Sequence, residues 1–310
     1  MSSGLVALSF AVIALMRVLQ KIGSKKVSAE IEGSAFFCYG AYYNLLSAAF
    51  SFIALIGVGF AGVDMSTVLY ALVTGVCLAV ELFASLEGLK GASLIINQMF
   101  SVGAIVIPCI VGIFLFNEPV SVWEWIGLAI FFVAICFIVA QDENKQEKSN
   151  KISFRTIIML LLTLVAGGGT MVAQKAFAIF VPNGNIAAYS FLMFALNALI
   201  LFGVYACVYL TKKRQLKNNS QMIKKNERKV LSKTALIQGL ILAFAVFLIN
   251  MLVTNLGRAL DSAILFSVSY AISIVITVLV GVVFYKERLT AKNIIGIILC
   301  MGALCMMNFL

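Results

Sequence analysis

Apolar residues dominate the chain in runs close to twenty residues long, separated by short polar or Gly-containing stretches. Crossing the hydrocarbon takes about 20 helical residues, and the runs place ten helices near 3–22, 35–59, 66–87, 92–116, 122–140, 155–175, 186–210, 235–256, 261–284 and 291–309. Transmembrane strands would need alternating segments of about ten residues, and these Leu, Ile, Val, Phe and Ala runs do not alternate. The pattern predicts an all-helical membrane bundle. The first run follows MSSG with no basic n-region and no small-residue cleavage site, so it reads as a retained span.

Composition agrees, with 62% hydrophobic and 12% charged residues. The chain contains no histidine, which removes the commonest general base and metal ligand. All seven cysteines fall within predicted spans, where thiols behave as small apolar groups. No CxxC pair, nucleotide-binding motif or catalytic constellation stands out, and the expectation is a non-enzymatic protein without metal or cofactor.

The net charge of +10 is unevenly placed. Lys21, Lys25 and Lys26 follow the first span, Lys90 the third, Lys145 to Arg155 the fifth and Lys286, Arg288 and Lys292 the ninth. The polar segment 211–234 after the seventh span is the longest basic loop. Lys175 and Arg258 stand on the opposite side, with Asp64, Glu118, Glu124 and Asp261. Lys and Arg mark cytoplasmic loops, so both termini are expected outside the cell, in a bacterial cell membrane. A basic loop beside a span reads as a topology determinant or lipid contact and not as a nucleic-acid site.

The sequence also repeats itself. GIFLFNEPVSVWEWIGLAIFFVAIC (112–136) aligns without a gap to GVVFYKERLTAKNIIGIILCMGALC (281–305), pairing Gly112 with Gly281, Glu118 with Glu287, Gly127 with Gly296 and Cys136 with Cys305. Upstream, the register pairs Ser85 with Thr254, Gly88 with Gly257 and Ser93 with Ser262. VLQK ending at Lys21 matches VAQK ending at Lys175, and Asn44 matches Asn197 after one gap. The organisation is a first repeat over 1–140, a polar linker over 141–154 and a second repeat over 155–310. Five spans per repeat, an odd number, make the second repeat run inverted relative to the first. Inverted repeats are a transporter architecture with substrate held near the midplane between them.

On these residues the chain resembles the EamA repeat of the drug/metabolite transporter superfamily, in which a Glu after the fourth helix of each repeat is followed by a Gly in the fifth. The resemblance implies that Glu118, Gly127, Glu287 and Gly296 are repeat markers, read as loop and packing residues, with Glu118 capping the helix that follows. Similar proteins carry amino acids, nucleotide sugars, phosphorylated sugars, choline or drugs. Their termini are usually cytoplasmic, opposite to the orientation that the charges predict here.

Within the spans, polar residues are few. In CLAVELFAS (77–85), Glu81 interrupts an otherwise apolar run, and the repeat register sets it on Asn250. Thr74, Glu81, Ser85 and Gly88 share a helical face, as do Asn250, Thr254 and Gly257. A carboxylate facing lipid costs several kcal/mol or more, so Glu81 is expected to face a cavity, a proton or a partner such as Arg17. Arg17 can equally snorkel to headgroups, and Asn250 and Thr254 can equally hydrogen-bond between helices. Gln98 and Ser101 in the fourth span, Ser267 and Tyr270 in the ninth and Gln174 in the sixth complete the candidate cavity lining. The triplet Gly167 to Gly169 lacks the following Lys-Ser/Thr of a phosphate loop and reads as a flexible or closely packed point.

The expected function is secondary transport of a small polar or amphipathic metabolite by rocking of the repeats, with membrane lipids and protons as further partners. A non-transporting membrane sensor or assembly protein and a flippase for lipid-linked substrates are the alternatives.

Overall fold

The computed structural model describes residues 3–28, 35–89, 100–101, 103–118, 121–139, 153–218 and 233–285, with 294–296, 298–299, 302–303 and 306. Among these residues there is no strand. The helices are α1 (Ser3–Ser28), α2 (Ala35–Val58), α3 (Met65–Leu89), α4 (Val106–Leu115), α5 (Val122–Val139), α6 (Phe154–Phe180), α7 (Ile186–Asn218), α8 (Lys233–Leu256) and α9 (Ser262–Tyr285). The described residues between 294 and 306 are helical as well. Within the described residues, five helical stretches are long and apolar enough to cross a membrane: Phe36–Val58, Met65–Gly88, Phe154–Phe180, Ile186–Thr211 and Ala235–Leu256. Large apolar side chains such as Phe114, Leu199 and Ile237 are exposed on the outside of the bundle, as expected where the neighbouring solvent is lipid. The chain is an all-α integral membrane protein.

Helix packing follows the repeat register. α3 packs on α6 as α8 packs on α1, α3 on α7 as α8 on α2, and α4 on α6 as α9 on α1. Exchange of the repeats turns each of these three contacts into its counterpart, and the contacts α2 to α7 and α4 to α9 map onto themselves. The self-paired contacts therefore straddle a pseudo-two-fold axis. Asn44 and Asn197, matched in sequence, meet there: Asn197 Nδ2 donates to Asn44 Oδ1 at 3.0 Å, and Asn44 Nδ2 donates to the Gly40 carbonyl at 2.8 Å.

Four spans differ from their apolar runs. α1 and α7 continue into basic segments, to Ser28 and Asn218, because Lys, Arg and Gln are good helix formers and nothing before those points breaks the turn. α6 runs past Lys175 to Phe180 and ends before Pro182-Asn183-Gly184, so Lys175 lies inside the helix and not at its end. The fourth span is interrupted. Residues 100, 101 and 103 are helical, the chain turns at Ala104 and Ile105, and α4 resumes at Val106. Pro108 has no N–H for the Ala104 carbonyl, and Ile107 N–H takes that acceptor instead at 3.1 Å, tightening the turn.

The Lys-poor end is closely tied. Asn185 caps α7, its Oδ1 accepting from the Ala187 and Ala188 N–H groups at 3.1 Å, while its Nδ2 donates to the Gly59 and Ala61 carbonyls at 2.8 and 3.0 Å. In that α2–α3 loop Gly62 has φ +76°, and a Cβ there would stand 2.2 Å from the Asn183 carbonyl oxygen, so only glycine fits. Asp64 caps α3 by accepting from Thr67 N–H and hydroxyl at 2.8 and 2.6 Å. Those bonds hold its carboxyl below the ordinary carboxylate range, so the charged cap is present at neutral pH and is lost as pH falls through the lowered value.

Candidate functional site

Gln174, Asn250 and Thr254, three residues expected to line a cavity, come together on α6 and α8. Gln174 Nε2 donates to Thr254 Oγ1 at 2.7 Å and to Asn250 Oδ1 at 3.0 Å. Asn250 Nδ2 donates to Ser190 Oγ on α7 at 2.8 Å. Ser190 carried no signal in the sequence beyond its place in a predicted span. This network lies wholly within the second repeat, and its groups spend their hydrogen bonds on one another, the interhelical use of polar residues open to Asn250 and Thr254.

Glu81, the register mate of Asn250, is different. It sits on α3 against α6, a contact between the repeats. Among the described residues no hydrogen bond or ion pair is formed by its carboxylate. A Cβ built on Gly167 would lie 3.1 Å from that carboxyl and 3.2 Å from the Ala104 methyl, at the interruption of the fourth span. Cys77, one turn before Glu81, faces Gly169, whose Cβ would lie 3.2 Å from the thiol sulfur. Gly168 is closest of all, with Ile107 at 2.5 Å from its would-be Cβ. The glycine triplet is thus a close-packed seat for α3 and α4, within a continuous helix. Gly168→Ala should destabilise the protein by about 1 to 3 kcal/mol through overpacking, measured by thermal unfolding in detergent. Gly203→Ala, inside α7 with nothing within 4 Å of the added methyl, is the control expected to cause no loss and to add about 0.5 to 1 kcal/mol through helix propensity.

The two register mates do not share one layer. Glu81 lies opposite Gly167 and Asn250 binds Gln174, seven residues further along α6, which is about 10 Å of helix. Nearer the Lys-poor end, Thr74 and Tyr189 share a hydrogen bond of 2.8 Å, and Tyr189 stacks on Phe177 with ring centroids 4.2 Å apart. On α9, Ser267 is fully buried and its hydroxyl has no partner among the described residues, while half-buried Tyr270 packs on the central apolar cluster. Ser101 is half-buried. Gln98 and the Arg17 side chain lie outside the described residues, as does any pairing between Arg17 and Glu81.

Glu118 does not cap the helix that follows it. That cap belongs to Ser121 and Glu124, which exchange bonds reciprocally: Ser121 N–H donates to Glu124 Oε2 at 3.1 Å and Glu124 N–H to Ser121 Oγ at 3.2 Å. Glu118 instead reaches across to the second repeat. It accepts from Ser262 N–H at 2.9 Å and Ser262 Oγ at 3.2 Å, at the start of α9, and pairs with Lys175 Nζ at 3.0 Å. Lys175 Nζ also donates to the Leu260 carbonyl. The sequence marks Glu118 and Lys175 as repeat positions and as charges on the Lys-poor side, and no local pattern in it gives their pairing.

A membrane-embedded helical bundle whose sequence repeats itself, with a carboxylate between α3 and α6, has features found in many transporters. The EamA-like transporter family model matches residues 154–309, half of the chain, and the chain belongs to that family. A solved structure described as a crystal structure of a protein superposes with a TM-score of 0.74 at 14% identity, covering 99% of this chain and 97% of that one. At that identity the likeness is one of fold. No curated protein matches the chain.

Proposed function

We propose that this family member is a secondary transporter that moves a small polar or amphipathic metabolite by alternating access, the two repeats rocking about their pseudo-two-fold axis. The observation that carries the reading is Glu81. Where the second repeat holds a satisfied amide, Asn250, the first holds a carboxylate at the junction of the repeats, beside the interrupted fourth span. Interrupted helices at a repeat interface are where such proteins bind substrate or coupling ion, and an intramembrane carboxylate is costly enough to imply a ligand, a proton or a counter-charge. Protons are the proposed coupling ion and membrane lipids the surrounding partner. Purified protein in proteoliposomes should take up at least one compound of a labelled metabolite panel saturably and respond to a pH gradient. Flux equal to that of empty liposomes across the panel would overturn the proposal.

The Lys and Arg distribution supports both termini lying outside a bacterial cell membrane. Alkaline phosphatase fused after Leu310 should be active and a fluorescent protein dark, and the opposite pair of results would reverse the orientation.

A further inference from the structure

We propose that Glu118, Lys175 and Ser262 form a lock that holds the Lys-poor end of the bundle closed, and that it breaks when that end opens. The inference rests on the alternating-access reading above.

Three features separate this cluster from ordinary scaffolding. It spans the two repeats, Glu118 standing at the end of α4 in the first and Lys175 and Ser262 on α6 and α9 in the second. Any motion that parts the repeats at this end must separate them. The pair is also desolvated, with side chains 3% and 7% exposed. Buried ion pairs contribute little net stability compared with apolar replacements, and in some proteins they specify one arrangement over another, the role assigned to this pair. Finally, the carboxylate has a prepared seat. Asn117 adopts a left-handed φ of 51°, which asparagine tolerates better than most residues, and the turn returns Glu118 N–H to the Gly112 carbonyl at 3.2 Å. Gly112 leaves the space, since a Cβ there would stand 2.3 Å from Glu118 Oε2.

Symmetry adds a reason. α4 and α9 are each other's images and pack on one another. Helices related in this way rock by parting at one end while approaching at the other, and Glu118 with Ser262 fastens one such end. The same residue types recur in the sequence register, where Glu287, Lys21 and Ser93 answer to Glu118, Lys175 and Ser262.

The test is a spin-label distance measurement across this end. Labels go on Val122→Cys in the first repeat and Ala259→Cys in the second, both exposed positions, in full-length protein lacking the native cysteines. The parent should give a short-distance population. Glu118→Gln keeps the shape and removes charge-assisted bonds, and should raise the ratio of long to short distances by roughly tenfold. Gly112→Ala, which keeps the charge and displaces the carboxylate, should do the same. Unchanged distributions in both Glu118→Gln and Gly112→Ala would overturn the lock, whatever the flux assay gives. A distribution that responds to Glu118 in a protein that carries no compound would support the lock and count against the transport reading.

Discussion

Lys175→Met should cost the protein on the order of 3 to 5 kcal/mol of stability, the usual penalty when one partner of a buried pair is removed and the other is left charged. The stranded group would be Glu118, 7% exposed and seated under Gly112. It would keep the Ser262 donors but lose the only cation within salt-bridge distance among the described residues. The double variant Lys175→Met with Glu118→Gln should recover much of the loss, because neither charge then remains. Unfolding in a fixed detergent, followed for the two single variants and the double variant, gives the coupling directly. Additive losses would mean that the two side chains do not interact.

Glu81→Gln is the second large effect, this time on function. Gln has the same shape and no charge. If the carboxylate binds a proton or a substrate cation, the variant should remain folded and lose either substrate affinity, by roughly tenfold or more for a lost charge-assisted contact, or the pH dependence of flux. A stable Glu81→Gln protein with the flux and pH profile of the parent would remove Glu81 from the mechanism. If Glu81 instead serves only to neutralise Arg17, the change should lower stability, and neutralising Arg17 as well should restore it.

Much of the bundle was legible because hydropathy reads the membrane, and a span too polar for lipid has nowhere to go. The sequence register pairs Asn44 with Asn197, and the two side chains are in contact. What hydropathy could not read was where a helix stops. Lys175 looked like the charged end of a span, yet α6 continues to Phe180, since a lysine neutralised inside the protein need not mark a boundary. The partner that neutralises it, Glu118, lies 57 residues earlier in the other repeat. No local pattern links the two, although the recurrence of both in register was a signal available in the sequence. The interruption of the fourth span follows from Pro108, which the apolar run concealed. Asn250 and Thr254 were open to two readings because a polar residue in a span looks alike whether it faces a cavity or another helix. In this state Asn250 bonds Ser190 on α7, and Gln174 on α6 bonds both Asn250 and Thr254.

In the proposed alternating access, the two repeats expose one pathway in turn to the two sides of the membrane. The most direct measurement places a single cysteine at position 250, and in a second protein at position 81, with the native cysteines removed, and scores labelling by a membrane-impermeant thiol reagent applied from one side at a time. Alternating access predicts reaction at both positions, with opposite preferred sides, and a reciprocal change in the two rates when transported substrate is added. If neither cysteine reacts from either side, with or without substrate, in protein that carries flux, then these register mates do not line the pathway and the symmetric mechanism is contradicted.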